Sequence, residues 1–220
     1  MSAIDAVRQV VGEADAVIAR LRAALADPAI VLDPAAAVAV VERVMSAELA
    51  ARPVVFGGGL VVAPERLGQP LMAWWQAIGA ARDVRRLDAG ATDGGYVRSY
   101  EDLEWYRVPA DSGEPHMTGP YVDLLCTDQA TLTFTAPLMV DGAFAGVVGA
   151  DVTVPTFERA VGAALRSAGE GALVVTAEGR VAASTDSSVL VQRRVRDEVL
   201  ARYDVEHVPG SRLSVAVPRP

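Results

Sequence analysis

One segment constrains the fold more than any other: GPYVDLLCTDQATLTFTAPLMVDGAFAGVVGADVTV, from Gly119 to Val154. It opens on a turn, and its apolar or alternating runs at 122–125, 131–137 and 143–152 read as strands. Asp141-Gly142 separates the last two. Both central positions of a primed two-residue turn need positive φ, and Asp-Gly meets that need, so these strands form an antiparallel hairpin. The third strand closes on Asp151, an acid set among Gly, Ala and Val. A carboxylate behind a buried strand needs a hydrogen-bonding partner, solvent or a ligand.

The chain can bury a core around that sheet. It has 220 residues, 51% of them hydrophobic, with mean hydropathy +0.26. All 20 basic residues are arginine, and the net charge is −8. So acidic a chain lacks the positive surface that phosphate backbones require, which argues against nucleic acid and against an anionic membrane surface. The single Cys126 excludes an intrachain disulfide. Asp5, Arg8, Glu13, Asp15, Arg20 and Arg22 interrupt the first 25 residues, so a signal peptide is not expected there. No apolar run is long enough to span a bilayer. The expectation is a cytoplasmic protein or an excised extracytoplasmic receptor domain.

Ile4, Val7, Val11, Ala14, Ile18, Leu21 and Leu25 recur in steps of three and four, which predicts one long helix. Its stripe can serve the domain's own core or the seam of a homodimer. Asp33-Pro34 predicts an N-cap and first helical residue, with Val38, Val41, Val44, Met45 and Leu49 as the buried side. Residues 53–56 and 60–63 read as two short strands around a turn at Gly57-Gly-Gly. Residues 71–78 read as a short helix, and 90–95 and 108–115 as loops. Thr156 is expected to cap a helix reaching Arg166. After a hinge at 169–171, residues 172–184 read as a second hairpin turning at Glu178-Gly179. A helix at 195–203 and a final strand at 213–217 follow.

The run around GPYVD and GADV, with Trp105-Tyr106 upstream, resembles the Cache family of small-molecule sensors over roughly residues 3–164. The resemblance implies an α+β fold of PAS-like antiparallel sheets behind a long N-terminal helix. It is double-Cache-like, with a shortened second lobe. The implied organisation is N-terminal helices over 1–52, a ligand-binding lobe over 53–168 and a small second lobe over 169–220. In amino-acid-binding members, the pattern is Tyr, four residues, Arg, one residue, Trp-Tyr, then a second Tyr and a closing Asp. Trp105 and Tyr106 match the pair, Tyr121 the second Tyr, and Asp151 the Asp that holds the ligand ammonium. Leu103 stands where the carboxylate-binding Arg belongs, and Arg98 where the first Tyr belongs. Arg98 or Arg107 could supply the missing clamp.

Aromatic faces beside an acid are the components of a cation site. Asp102, Glu104 and Asp123 add negative potential. One of Trp74 and Trp75, taken as Trp75, would roof the pocket. The ligand-binding set is therefore Trp105, Tyr106, Tyr121, Asp151, Asp123, Arg98 and Trp75. Losing a guanidinium while keeping Asp151 shifts the expected ligand from amino acid toward amine. The implied function is a sensor of a small cationic or zwitterionic metabolite that signals through a partner protein. A dimeric scaffold with an inactive pocket is the alternative, followed by a hydrolase using Cys126 with His116 as base. No His/Cys cluster suits a metal and no Gly-rich loop suits a phosphate, so no catalytic residue, metal or cofactor is expected.

Overall fold

A computed structural model describes residues 1–87, 100–122 and 129–219. The chain divides into two compact units, one of residues 14–118 and 133–151, the other of residues 1–13, 119–132 and 152–220. Helix α1 (Ala3–Ala24) is the expected long helix. Val7, Val11, Ala14, Ile18, Leu21 and Leu25 on its stripe are all buried within the chain, so these side chains belong to the core and do not form a solvent-facing seam.

In the first unit, a short helix α2 (Pro28–Val31) leads into α3 (Pro34–Ala51). Asp33 caps α3 as expected: its Oδ1 accepts from the N–H groups of Ala35 and Ala36 at 2.9 and 3.2 Å. Strand β1 (Gly57–Val62) follows, then a helical turn α4 (Pro64–Leu67), β2 (Leu71–Ile78) and β3 (Asp83–Arg86). A 3-10 turn at Tyr100–Asp102 precedes α5 (Glu104–Ser112), and β4 (His116–Val122), β5 (Ala130–Val140) and β6 (Ala143–Thr153) complete the strands. The sheet order is β3-β2-β1-β6-β5-β4. The turn from β5 to β6 is the expected primed one, with φ of 52° at Asp141 and 75° at Gly142.

Three sequence expectations are corrected in this unit. The glycines at 57–59 are not a turn but the start of a central strand, paired with β2 and β6. They are glycines because neighbours press on them: a Cβ on Gly59 would lie 2.1 Å from the Ala73 carbonyl, and one on Gly58 2.6 Å from that of Gly149. Residues 71–78 are a strand, not a helix. Ala73 to Ala77 are buried on both faces, so no alternation remained to reveal the period. Residues 108–112, read as part of a loop, belong to helix α5, which carries Pro109 within it.

The second unit holds α6 (Val154–Ala168), β7 (Leu173–Thr176), β8 (Val181–Ser184), α7 (Asp197–Leu200), β9 (Tyr203–His207) and β10 (Leu213–Pro218). Its sheet order is β8-β7-β10-β9. Leu173, Val175, Val181 and Ala216 form its core, with Val189, Val195, Leu200 and Tyr203 packed against them. Helix α6 starts three residues earlier than expected, with Thr153 and not Thr156 at the N-cap position and the two hydroxyls bonded at 2.9 Å. The helix expected over 195–203 shrinks to one turn, α7. Residues 196–199 are exposed, so no buried stripe sustains a longer helix.

Candidate functional site

The register of the first unit sorts side chains onto two faces. Directly paired residues share a face, and neighbours along a strand alternate. Gly58, its β2 partner Trp75 and its β6 partner Ala150 share one face. Met45 of α3 lies 2.9 Å from where a Gly58 Cβ would be, so this is the helix-packed face. Arg86, paired with Trp75, places its guanidinium 5.6 Å from the centre of that indole. The opposite face carries Gly57 with Gln76 and Asp151, and Gly59 with Trp74 and Gly149. Of the two tryptophans, Trp74 therefore shares the face of Asp151. Trp75, the one expected to roof the pocket, points to the other side.

Asp151 is 1% exposed. Its Oδ2 accepts from the Trp74 indole N–H at 2.9 Å, and its Oδ1 from the Thr133 hydroxyl at 2.7 Å. A carboxylate offers about four acceptor positions, and these two donors fix its plane. Trp74 reaches Asp151 because glycines floor its path. Its Cζ/Cη edge lies 2.8 Å from the Cβ position of Gly149, and its Nε1 3.5 Å from that of Gly57.

Helix α5 brings the second set of residues. The Trp105 ring lies 6.5 Å from that of Trp74 and 6.1 Å from Tyr106, which meets it edge-on. Tyr100 lies 6.5 Å from Trp105 and 5.2 Å from Tyr106, and Phe144 packs edge-on to Tyr106 at 5.8 Å. Trp105 and Tyr106 are buried. Burial, with Glu101 and Glu65 nearby, pushes the Tyr100 hydroxyl up to about 12. Burial first, then Tyr100 and the same two acids, raises Tyr106 as well.

Two bonds hold α5 to the sheet. Pro109 has no N–H to give the carbonyl four residues back, that of Trp105. The Thr135 hydroxyl of β5 donates to this carbonyl instead, at 2.8 Å. The other bond joins His116 Nε2 to Glu104 Oε1 at 2.9 Å. His116 is thus tied to an acid at the start of α5.

The structure brings Trp105, Tyr106 and Asp151 together through Trp74. Tyr121 is half-buried on β4, in the segment counted with the second unit. Arg98, Asp123 and Cys126 lie outside the described residues. Arg107 faces outward and ion-pairs with Asp111 at 3.8 Å. Sequence reasoning missed Trp74, Gln76, Thr133 and Tyr100 as members of this face; only pairing between distant strands assembles them. Among the described residues, no group of His, Cys, Asp and Glu could hold a metal ion, and no helix is long and apolar enough to cross a membrane. The second unit has a surface cleft of about 550 Å³ between α6 and the end of β8, lined by Glu158, Arg159 and Arg166 among others. None of its lining residues is aromatic.

A long N-terminal helix with antiparallel sheets and an aromatic-and-acid face defines a sensor-type ligand-binding fold. The family model for the first PDC sensor domain of methyl-accepting chemotaxis protein-like receptors matches residues 41–159, more than half of the 220. The chain belongs to that family, and the Cache resemblance holds. No curated protein matches it. Among solved structures it is similar to the extracellular domain of soHK1S-Z6, assigned as a histidine kinase. The identity is 17% and the TM-score 0.70, covering 99% of this chain and 89% of that one. It is similar to the ligand-binding domain of the Pseudomonas fluorescens chemoreceptor CtaA in complex with L-valine, at 18% identity and TM-score 0.60, covering 92% and 87%. It is also similar to the ligand-binding domain of the Pseudomonas aeruginosa PAO1 amino acid chemoreceptor PctC in complex with GABA, at 16% identity and TM-score 0.58, covering 96% and 92%.

Proposed function

We propose that the Asp151 face of the first unit binds a small cationic or zwitterionic metabolite, an amine or amino-acid-like compound, and that its occupancy is relayed to a signalling partner. One observation carries this reading: a buried carboxylate is oriented by Thr133 and by Trp74, whose ring leads on to those of Trp105, Tyr106 and Tyr100. An ammonium seated there meets a counter-charge and π faces, contacts of about 0.5–2 kcal/mol each. The valine and GABA held by the chemoreceptor relatives are ligands of this class. The extracellular origin of the soHK1S-Z6 domain supports an extracytoplasmic placement for this one.

Thermal-shift and calorimetric titration with valine, GABA and their decarboxylated amines tests the proposal. A ligand at 100 times its Kd should stabilise the fold by about 2.7 kcal/mol. Asp151→Asn should cost about 2–5 kcal/mol of binding, because the desolvated cation loses its counter-charge. Tight binding of a dicarboxylate that ignores Asp151→Asn would overturn the reading.

A further inference from the structure

The row that carries Asp151 does not end at Gly57. Gly57 pairs with Gln76, and Gln76 pairs on its other side with Arg85 of β3. Direct partners share a face, so Arg85, Gln76, Gly57 and Asp151 form one cross-strand row on the face that also carries Trp74. The neighbouring Arg86 goes to the opposite face and stacks on Trp75. Strand alternation therefore splits the arginine pair as it splits the tryptophan pair. Arg85 is exposed at the edge strand of the sheet. Among the described residues it makes no ion pair and no side-chain hydrogen bond. Gln76 is 4% exposed, and its Cγ lies 3.1 Å from the place a Gly57 Cβ would occupy.

We infer that Arg85 is the carboxylate anchor of this site, supplying the guanidinium that position 103 lacks, and that the row selects a zwitterion whose charges are separated along a chain. The inference rests on the proposed binding at Asp151. Three strand spacings place the Arg85 and Asp151 Cα atoms about 14 Å apart. Asp151 cannot travel toward Arg85, because Trp74 and Thr133 hold both of its oxygens. An arginine stem is long enough to span part of that interval. The remainder, over the Gln76 and Trp74 side chains that cover Gly57, must be bridged by the ligand. An α-amino acid carries both charges on one carbon and does not bridge it; an ω-amino acid does. Gln76 stands between the two ends of the row and carries no charge, so it penalises neither. A guanidinium grips a carboxylate bidentately, so the wrong charge spacing forfeits a strong pair.

Calorimetry with 5-aminopentanoate, norvaline and pentylamine separates the possibilities, using the wild type, Arg85→Gln and Asp151→Asn. The wild type should bind 5-aminopentanoate about tenfold or more tighter than either of the others, a ratio worth about 1.4 kcal/mol. Arg85→Gln should bring 5-aminopentanoate down to the level of pentylamine and leave pentylamine unchanged. Asp151→Asn should weaken both. Arg85 is exposed, so this variant should keep the wild-type circular dichroism and melting temperature. An Arg85→Gln protein that retains the wild-type preference overturns the anchor while leaving the site at Asp151 standing. Equal or tighter binding of norvaline overturns the charge spacing. Failure of the wild type to bind 5-aminopentanoate overturns the inference outright. Indifference of all three ligands to Asp151→Asn overturns the binding site itself.

Discussion

The carbonyl of Trp105 takes its hydrogen bond from Thr135 on β5, at 2.8 Å, because Pro109 cannot supply the helical one. A defect in helix α5 is thereby turned into a bond between that helix and the sheet, at the residue whose ring faces Trp74. Thr135→Val keeps the shape and removes the donor. The buried carbonyl then goes unsatisfied, a cost of about 1–3 kcal/mol. Pro109→Ala restores an N–H within the helix. The double variant should recover most of the loss, and a double-mutant cycle by urea unfolding would show the coupling. Additive effects would mean that Thr135 does not serve that carbonyl.

The Trp74 indole N–H is the donor that holds Asp151 Oδ2. Trp74→Phe keeps an aromatic ring over the glycine floor and removes only that donor and the second ring. We expect a loss of about 1–3 kcal/mol together with weaker ligand binding, since the carboxylate is no longer held in plane. Trp75→Phe, on the helix-packed face, should lower stability without changing ligand affinity. Reversed effects on affinity would exchange the two faces.

The extent to which the sequence revealed this architecture follows from the range of each interaction. The Asp141-Gly142 hairpin, the Asp33 cap and the stripe of α1 are local patterns, and each is found where its residues predict. Asp151 was legible because an acid ending an apolar strand is conspicuous. Trp74 was not, since its partner lies 77 residues away and β2 is buried on both sides. Gly57-Gly-Gly looked like a turn because glycine serves both turns and crowded central strands, and only the neighbouring backbones distinguish the two. Helix α5 was hidden by its own proline, whose missing bond is replaced by a strand far along the chain. Arg85 gained meaning only once the register from β3 to β6 was known.

The stripe of α1 leads to a prediction about association. Leu21 is fully buried within the chain, so Leu21→Ala removes core packing. The expected cost is about 2–5 kcal/mol, and the melting temperature of wild type and variant should not depend on protein concentration through this residue. A variant that keeps full stability yet shifts a dimer–monomer equilibrium in sedimentation would place the stripe in a seam instead.

Glycines on α1 and β1 should respond in opposite directions. Nothing lies within 4 Å of a Cβ built on Gly12, which is exposed in the middle of a helix. Gly12→Ala should stabilise by about 0.5–1 kcal/mol, because alanine has less freedom to lose on folding. Gly59→Ala would drive a methyl to 2.1 Å from the Ala73 carbonyl in the central strand pair. A cost of about 3 kcal/mol or more is expected, read as a lowered urea midpoint or loss of soluble protein. A tolerated Gly59→Ala would contradict the β1–β2 register on which the face assignment depends.

Alkaline titration tests the aromatic cluster. The fold favours the neutral phenol of Tyr100, whose pKa rises from 10.0 to about 12, chiefly through burial and then through Glu101 and Glu65. Tyr106 shifts the same way for the same leading reason. A folded-state pKa raised above the unfolded one gives stability that is complete below the unfolded value and is lost as pH climbs through the folded value. Stability should therefore hold up to about pH 10 and decline from there through about 12. Tyr100→Phe should flatten that decline, although it also removes the hydroxyl's bond to the Val62 carbonyl at 3.0 Å and so lowers stability at neutral pH. Tyrosinate absorbance followed beside near-ultraviolet circular dichroism would show two late-titrating phenols ionising with the loss of fold. Complete ionisation of every tyrosine near pH 10, with the fold intact, would mean that the cluster is open to water and that Trp105 and Tyr106 are not the walls of a dry site.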